Sequence, residues 1–363
     1  MYQDHTIGVV IPAYNEEGFV GDVIREMPDY VDRLYVIDDC STDGTWSEIL
    51  EAAAADDGAD ADADADASLE DTEQSLDRPA DEEPRPVTDG GATALATRAE
   101  VHDPVGRVYP IQHRENLGAG GAIKTGYLAA YVDGADVTAT VDADGQMDLS
   151  QLPRLLDPIV EGKADYAKGN RLINGEYRAA MPRFRLFGNA ILTFLTKIAS
   201  GYWKTMDPQN GYTAISHEAL EAVDLENLYE YYGYCNDLLV KLNASGMRVA
   251  DVAMPAVYGD EESSISYGEY IPKVSTMLLR DFLWRLRTKY LVRDFHPLAL
   301  FYLSGAAVAG IGLVGLLWTM LTTLSLGFVL SSTSLLVFVA GWALILFAMV
   351  FDMAESEHLE MQV

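Results

Sequence analysis

The chain has 363 residues, enough for one large domain with additions, and a formal net charge of −31 at pH 7 from 56 acidic and 25 basic residues. Such a surface repels nucleic acid, so we expect no DNA or RNA partner. The two cysteines, Cys40 and Cys235, exclude a disulfide framework and favour a reducing compartment. The Asp-rich, Lys-poor composition is typical of a salt-adapted cytoplasm, where ions screen self-repulsion. A strand-like segment begins by Thr6 with no charged and apolar leader before it, so we expect no signal peptide.

Strand and helix patterns alternate along the first part of the chain, with a polar loop after each strand. The predicted strands are Thr6–Ile11, Leu34–Ile37, Arg107–Gln112 and Val137–Val141. The predicted helices are Gly18–Met27, with apolar residues at helical spacing, and a second one from about Trp46. This alternation predicts an α/β fold in which a mainly parallel central sheet carries helices on both faces. Ligands of such sheets bind beyond the carboxyl ends of the strands, where the polar loops lie.

Residues 52–105 interrupt this alternation. The segment is rich in Asp, Glu and Ala and has no apolar periodicity. It therefore has too little apolar surface to offset the entropy cost of ordering it. We predict a disordered acidic insertion between a helix and the next strand.

A glycine-rich segment, Asn116–Gly126, follows the third predicted strand. Its glycines would let the backbone approach a ligand closely, and it leads into a helix N-terminus, which suits anions. Lys124 lies within it, but the Gly-Lys-Ser/Thr of a Walker loop is absent. The alternative is that the glycines serve only close packing of the helix on the sheet.

The strand Val137–Val141 ends in Asp142-Ala143-Asp144-Gly145-Gln146. Two carboxylates one residue apart at the open end of a strand would face one divalent cation. Mg²⁺ or Mn²⁺ prefers such oxygen ligands and leaves room for substrate phosphates. The amide of Gln146 would add or orient a ligand, so we predict a metal site that holds a nucleotide diphosphate. Because Asp-x-Asp recurs by composition in this acidic chain, as in 60–66, the alternative is a solvated turn.

The next part continues the pattern and adds a basic amphipathic segment. Helices are predicted at Leu152–Val160, His217–Val223 and Cys235–Ser245, strands at Ala164–Lys168 and Met247–Val257, and an apolar run at Thr213–Ile215. The segment Met181–Tyr202 carries Arg183, Arg185 and Lys197 among apolar residues, and a polar turn, Met206–Tyr212, follows it. Clustered Arg is unusual in so acidic a protein. It indicates a helix at a membrane surface, the capture of a phosphate, or both.

The C-terminal part has the pattern of a membrane anchor. Residues 269–296 predict a basic amphipathic helix at a membrane interface, with Lys and Arg beside Leu, Met, Phe and Trp. Two apolar runs, about 298–321 and 328–351, each exceed the ~20 residues that cross a bilayer, and a buried core hairpin is the alternative. Basic residues before the first run place that side in the cytoplasm, and two spans return the acidic tail, 353–363, to it. We therefore predict a cell-membrane protein whose catalytic domain, 1–268, and both termini are cytoplasmic.

Five motifs occur in one order along the chain: VVIPAYNEE, VIDDCSTDGT, ENLGAGGAIKTG, VDADGQ and GNR. In this order they resemble glycosyltransferase family 2, whose members have the GT-A fold. The MPRFRLFGN segment, the DPQNGY turn and the apolar hairpin resemble the polyprenyl-phosphate sugar synthases, of which dolichyl-phosphate mannose and glucose synthases are members. The resemblance covers about residues 5–275 apart from the insertion. Together with the acidic composition, it implies a halophilic archaeon as the source.

The resemblance implies a role for each motif residue. The base and ribose of the nucleotide would be held by Pro12, Tyr14, Glu16, Ile37 and Asp39. The diphosphate would be met by Asp142, Ala143 and Asp144, with Lys124 and Arg171 completing the donor site. The metal, Mg²⁺ or Mn²⁺, would be held by Asp142, Asp144 and Gln146. The acceptor phosphate would be gripped by Arg171, Arg185 and Asn189.

Three departures from family patterns bear on the substrates. Mannose synthases of this kind carry an Arg and a Lys in the loop after the last strand, whereas Tyr258–Ser266 contains no basic residue, which leaves a UDP-sugar open beside GDP-mannose. Members that attack hydroxyl groups have Glu-Asp where this chain has Asn236-Asp237, so Asp237 is a candidate base. The Gln-x-x-Arg-Trp of processive synthases is absent, so we expect transfer of a single sugar.

These patterns predict an inverting, metal-dependent glycosyltransferase. It would move one sugar from a UDP- or GDP-hexose to polyprenyl (dolichyl) phosphate among the lipids of the cytoplasmic membrane face, with Asp144, Arg171, Arg185 and Asp237 as catalytic candidates. A phosphate acceptor is already ionised near neutral pH, so it needs positioning and charge compensation more than a general base. The alternatives are transfer to a hydroxyl or lipid-linked saccharide, and a non-catalytic nucleotide-binding membrane scaffold.

Overall fold

Strands and helices alternate along the chain in the computed structural model, which describes residues 1–67, 89–172, 183–255, 267–321 and 327–363. The strands are Ile7–Ala13 (β1), Arg33–Asp38 (β2), Ala99–Val101 (β3), Val108–His113 (β4), Val137–Thr140 (β5), Tyr166–Asn170 (β6), Thr213–Ser216 (β7), Val249–Ala253 (β8) and Glu360–Gln362 (β9). The helices are Val20–Arg25 (α1), Thr45–Ala67 (α2), Asp89–Arg98 (α3), Ala119–Asp133 (α4), Leu152–Val160 (α5), Arg183–Ser200 (α6), His217–Ala222 (α7), Tyr234–Ala244 (α8), Tyr267–Arg285 (α9), Leu298–Leu321 (α10) and Gly327–Ser356 (α11). A π-helical stretch, Leu286–Arg293, continues α9.

Within these described residues, the strands form one sheet in the order β3-β4-β2-β1-β5-β7-β6-β8-β9. The neighbours from β4 to β5 are parallel, as are β6, β8 and β9, whereas β7 and the edge strand β3 run antiparallel to their neighbours. Val9 and Ile11 of β1 pack with α1, α2 and α5, while Val10 packs with α4 on the opposite face. Helices therefore cover both faces, which confirms the predicted α/β fold with a mainly parallel sheet.

The predicted disorder of residues 52–105 is wrong at both ends of that range. Helix α2 continues to Ala67, and α3 and β3 occupy 89–101. Leu95 and Ala99 are buried against the sheet, and Arg107 donates from Nε and Nη2 to the two carboxylate oxygens of Asp56, at 2.9 Å each. A few small apolar contacts and this two-point ion pair attach the two ends of the insertion to the rest of the fold. No apolar periodicity in the sequence indicates this attachment. Residues 68–88 lie outside the described part of the chain.

Two basic side chains of the predicted interfacial helix are buried in the protein. Arg285 of α9 is fully buried and donates to Asp352 of α11, and Lys289 of the π-helical stretch donates to Asn243 of α8 at 2.8 Å. Two basic residues of the predicted interfacial helix, 269–296, are therefore buried in the protein and do not contact a membrane surface. Composition could not separate them from Arg280, whose side chain is exposed.

Helices α10 and α11 pair as an antiparallel hairpin, and both are long and apolar enough to cross a membrane. Their backbones approach closely where glycine has no side chain. A Cβ on Gly341 would collide with the backbone of Ala309, and one on Gly312 would collide with the backbone of Phe338. The predicted pair of apolar C-terminal helices is confirmed.

The acidic C-terminal segment is not a free tail. After α11, β9 joins the edge of the central sheet and pairs in parallel with β8, with Val249 opposite Glu360 and Asp251 opposite Gln362. The predicted acidic tail, 353–363, therefore contains the end of α11 and the last strand of the sheet. Three residues are too few to show a strand period in sequence.

Candidate functional site

A pocket opens at the carboxyl edge of the sheet, beyond β5 and β6, with a volume of about 110 Å³. It is lined by Asp142, Asp144, Gln146, Met147, Asp148, Gln151, Arg171, Asn210, Tyr212, Met254 and Pro255. The structure thus brings together all three predicted metal ligands and one predicted phosphate-binding arginine. This is the position at which parallel α/β sheets bind ligands.

The carboxylate pair Asp142 and Asp144 carries the negative charge of this pocket. Desolvation and then repulsion from Asp144 raise the pKa of Asp142 to about 7, against the opposing effect of Arg171. The Asp144 carboxylate accepts from the backbone N–H of Gln146 at 2.9 Å, across a turn in which Gly145 has a φ of +71°. Two carboxylates held together in this way have the charge and the oxygen donors that suit a hard divalent cation.

No group of three or more His, Cys, Asp or Glu side chains that could form a metal cage occurs in the described parts of the chain. That finding agrees with the chemistry of Mg²⁺ and Mn²⁺ sites that use one or two carboxylates and complete the coordination with substrate phosphates and water. Asp142 and Asp144 would hold such an ion, with the Gln146 amide beside them.

Arg171 is held in place by Asp207, a residue that sequence reasoning did not assign to the site. The guanidinium donates to both oxygens of the Asp207 carboxylate, from Nε at 2.7 Å and from Nη2 at 3.0 Å. Desolvation opposes ionisation of Asp207, but hydrogen bonds and charge from Arg171 lower its pKa below the ordinary value. Asp207 is buried and has a φ of +49° in the turn before β7. The sequence feature that could have identified Asp207 was its position within the DPQNGY turn.

Asp39 holds the glycine-rich loop. Its carboxylate accepts from the backbone N–H groups of Leu117 and Gly118, at 2.7 and 2.8 Å, and is hydrogen-bonded to the ring of His113 at 2.7 Å. The second ring nitrogen of His113 is hydrogen-bonded to Thr125 of α4. The loop at the start of α4 is therefore fixed to the end of β2, and the predicted contact of Asp39 with the nucleotide stays a prediction.

The other residues predicted to hold the base and ribose lie at the ends of β1 and β2. Pro12 is opposite Ile37 in the parallel register. The Ile37 side chain is buried in the core, whereas Tyr14 is exposed just beyond β1. The backbone of Glu16 donates to Thr45 at 2.8 Å, which ties this loop to the start of α2.

Lys124 does not line the pocket. Its buried ammonium donates to Glu230 at 2.9 Å and to the backbone carbonyl of Glu226, and Arg98 binds the same Glu230 carboxylate at 2.6 Å. These contacts fasten α4 to the segment that precedes α8. Lys124 therefore has a structural role, and its predicted contact with the donor stays a prediction.

Asp237 is also engaged within the fold. It is buried in the first turn of α8, accepts from the Lys241 ammonium one turn later, and accepts from the backbone N–H of Tyr229 at 2.8 Å. Asp237 therefore does not line the pocket, and its predicted role as a base stays a prediction.

The predicted acceptor residues Arg185 and Asn189 lie one turn apart near the start of α6. Helix α6 packs against α8 and α9. The Arg185 side chain and the loop Tyr258–Ser266 lie outside the part that the structure describes, so their predicted roles stay predictions.

Comparison with known proteins identifies the family. The sequence model of "Glycosyl transferase family 2" matches residues 8–60 and 88–224, more than half of the chain. The unmatched residues between them fall within the predicted insertion. A UDP-N-acetylglucosamine–dolichyl-phosphate N-acetylglucosaminyltransferase of Methanococcus voltae is 27% identical over 256 residues, covering 70% of this chain and 87% of that protein. A polyprenol monophosphomannose synthase of Mycolicibacterium smegmatis is 30% identical over 189 residues, covering 50% of this chain and 68% of that protein.

Among solved structures, glucosyl-3-phosphoglycerate synthase from Mycobacterium tuberculosis, in complex with Mn²⁺, UDP and glucosyl-3-phosphoglycerate, is similar with a TM-score of 0.47 and 18% identity. The similarity covers 78% of this chain and 80% of that chain. The family match over more than half of the sequence confirms the resemblance seen in the motifs, and the chain therefore belongs to glycosyltransferase family 2 and is a glycosyltransferase.

Proposed function

We propose that the protein transfers a single sugar from a nucleotide sugar to polyprenyl phosphate at the cytoplasmic face of a membrane. The observation that carries this proposal is the pocket in which the pair Asp142 and Asp144 faces the same space as Arg171, itself held by Asp207. Carboxylates suit the metal-bound diphosphate of a donor, and a positioned guanidinium suits a second phosphate, that of the acceptor.

The chemistry requires one displacement. A phosphate oxygen of the acceptor bonds to the anomeric carbon while the bond from that carbon to the donor diphosphate breaks, and the nucleoside diphosphate leaves with the electron pair. Attack opposite the leaving group inverts the configuration. A bound Mg²⁺ or Mn²⁺ would supply Lewis-acid neutralisation of the diphosphate. Arg171, with Arg185 and Asn189 from α6, would position the acceptor phosphate, which needs no base because it is already ionised.

The donor that we propose is a UDP-sugar. The loop Tyr258–Ser266 lacks the Arg and Lys that mannose synthases of this kind carry. The relative from Methanococcus voltae is named for UDP-N-acetylglucosamine and dolichyl phosphate, so these are the first substrates to test.

The membrane placement is supported by the two ends of the apolar hairpin. The π-helical stretch before α10 contacts α8 through Lys289, and β9 after α11 joins β8. If α10 and α11 cross the bilayer, both ends lie on the side of the catalytic domain. Basic residues in α9 favour the cytoplasm as that side.

The test is a transfer assay with membranes that contain the full chain, a panel of labelled UDP- and GDP-sugars, and polyprenyl phosphate with and without Mn²⁺. We expect an acid-labile lipid-linked monosaccharide from a UDP-sugar, dependent on the metal. Transfer only to a hydroxyl acceptor would replace the proposal with the alternative that needs a base, against which the ion pair of Asp237 with Lys241 argues. Binding of nucleotide without any transfer would indicate a scaffold.

A further inference from the structure

The backbone segment 203–207, between α6 and the turn before β7, is held by a residue from the far end of the chain. The Glu360 carboxylate accepts three consecutive backbone N–H groups, from Trp203 at 2.8 Å, Lys204 at 2.7 Å and Thr205 at 2.9 Å. The Thr205 hydroxyl donates to the same carboxylate at 3.3 Å. Hydrogen bonds to an ionised carboxylate are roughly twice as strong as neutral ones, so this contact fixes the segment firmly.

A second carboxylate, on the neighbouring strand, holds the next residue. Asp251 of β8 accepts from the backbone N–H of Met206 at 2.8 Å and from Lys168 of β6 at 2.7 Å. The backbone of Asp251 is in turn bonded to the chain terminus, because Val363 donates to its carbonyl at 2.9 Å. Side chains of the neighbouring strands β8 and β9 therefore bind four successive backbone amide groups, those of residues 203–206.

The residue that follows these four amides is Asp207, which holds Arg171. The Asp207 carboxylate is buried, and its two oxygens meet Nε and Nη2 of the guanidinium at 2.7 and 3.0 Å. Such a two-point contact requires both groups to keep their relative position, and a misplacement of ~1 Å in a reacting site can reduce the rate by about 100-fold.

We propose that Glu360 is a positioning residue for Arg171, acting through the segment 203–207 and Asp207, so that the strand after the apolar hairpin completes the acceptor-phosphate side of the site. The inference rests on the proposed function in one respect, which is that Arg171 contacts the acceptor phosphate. A catalytic domain truncated before α10 would therefore lack a part of its acceptor site.

The test uses the full-length protein in lipid nanodiscs and the variant Glu360→Gln. The variant keeps the size of the side chain, but its NH₂ group cannot accept the hydrogen bonds that the backbone N–H groups donate to the carboxylate. We expect the KM for polyprenyl phosphate to rise by about tenfold, with the KM for the sugar nucleotide within about twofold of wild type. The matched control is Glu357→Gln, which removes an exposed ion pair with Lys204 from the same tail and is expected to leave both constants unchanged.

Two further measurements separate positioning from general stability. Hydrogen exchange followed by mass spectrometry should show faster exchange of the amides of 203–205 in Glu360→Gln and wild-type exchange in Glu357→Gln. The variant Thr205→Val removes only the hydroxyl contact with Glu360 and should shift the acceptor KM in the same direction by a smaller factor. If the Glu360→Gln protein does not accumulate in a folded form, Thr205→Val serves as the kinetic test.

An unchanged acceptor KM in these variants would overturn the inference, because a merely structural role lowers the active fraction, which reduces the apparent turnover and leaves both KM values unchanged. An equal rise in both KM values would overturn it as well, because the effect would not be specific to the acceptor. If wild-type protein transfers no sugar to polyprenyl phosphate, the proposed function fails and the acceptor role of Glu360 fails with it. The exchange measurement then still decides whether Glu360 holds the segment.

Discussion

At the scale of single residues, the site depends on which charges are paired within the protein. Arg171, Lys124 and Asp237 all have partners of opposite charge, at Asp207, Glu230 and Lys241. Asp142 and Asp144 instead face each other, which is the source of the raised pKa of Asp142 beyond its desolvation. A carboxyl group in a pocket whose pKa is shifted by desolvation and by a neighbouring charge is a candidate functional group.

The variant Asp144→Asn tests the carboxylate pair. We expect transfer activity to fall on the order of 100-fold, the scale of removing one electrostatic stabiliser from a site, while the protein stays folded. Mn²⁺ binding, followed by the paramagnetic resonance of the free ion, should weaken in parallel. Asp22→Asn, on an exposed acid of α1, is the control. Turnover and Mn²⁺ affinity near wild type would remove Asp144 from the metal site.

The variant Arg185→Lys tests the acceptor side. A guanidinium forms forked contacts with phosphate that an ammonium cannot copy, so we expect the KM for polyprenyl phosphate to rise several-fold, with the KM for the sugar nucleotide unchanged. Arg183→Lys, two residues earlier in the same helix, is the control for charge at a membrane surface. If Arg185→Lys behaves like this control, the arginine serves only as a membrane anchor.

At the scale of elements, α9 packs against α8 through apolar side chains, and a buried carboxyl group of α9, Asp281, lies near Asp237 of α8. Desolvation and the nearby Asp237 raise the pKa of Asp281 to about 6, and its Oδ2 atom has no hydrogen-bond partner among the described residues. The folded state then binds more protons than the unfolded state between pH 4 and 6. This carboxyl group therefore lowers the stability progressively as the pH rises through that window.

The variant Asp281→Asn should reverse that loss. We expect a gain in stability of about 1–2 kcal/mol at pH 7 and little change at pH ~3, where the carboxyl is largely protonated in both states. Thermal unfolding at the two pH values, with Asp294→Asn as an exposed control, measures it. An equal shift at both pH values would show that the effect is not the charge of Asp281.

The elements around the insertion allow a test by two deletions. Deleting 68–87, with a short Gly/Ser bridge, should leave stability and transfer near wild type, because loop length adds little closure entropy. Deleting 54–103 should instead destabilise the fold, since it removes α3, β3 and the Asp56 partner of Arg107. Melting temperature and activity in high salt compare the two. Equal behaviour of both deletions would contradict the structural role of the flanks.

At the scale of the whole molecule, the apolar hairpin and the catalytic domain are joined by a buried ion pair. Arg285 of α9 donates to both carboxylate oxygens of Asp352 at 2.9 and 2.7 Å, and to the backbone of α6 at Ala199. Both charged side chains are fully buried. Together with β9, this pair makes the orientation of the catalytic site relative to the hairpin a property of the fold rather than of a flexible linker.

The variant Asp352→Asn tests this connection. It leaves the buried guanidinium of Arg285 without an anion, which costs about 3–5 kcal/mol. Thermal unfolding in detergent and limited proteolysis between 293 and 298 would detect the loosening. The double variant Arg285→Met with Asp352→Leu should be closer to wild type, because replacing both charges removes the uncompensated one. A single variant as stable as the double one would show that the pair contributes nothing.

The elements that could be predicted from the sequence are those with a local cause. Alternating strand and helix periods, the Asp142 and Asp144 pair after a strand, and two long apolar runs each follow from neighbouring residues. Asp39 and Lys124 could be placed near the site by motif, but their partners, at Leu117 and Glu230, are set by the packing of separate elements. The structural contacts of both residues could not be predicted for that reason.

The sequence by itself thus determined the α/β class, the position of the carboxylate pair, the apolar hairpin and the family. Tertiary structure alone decided which charges face the pocket and which are paired, because a Coulomb partner lies close in space and distant along the chain. Asp207 reaches Arg171 across 36 positions, and Glu360 reaches the segment at Trp203 across 157. No local sequence pattern indicates such a contact, so the proximity of the last strand to the site could be inferred only from the assembled sheet.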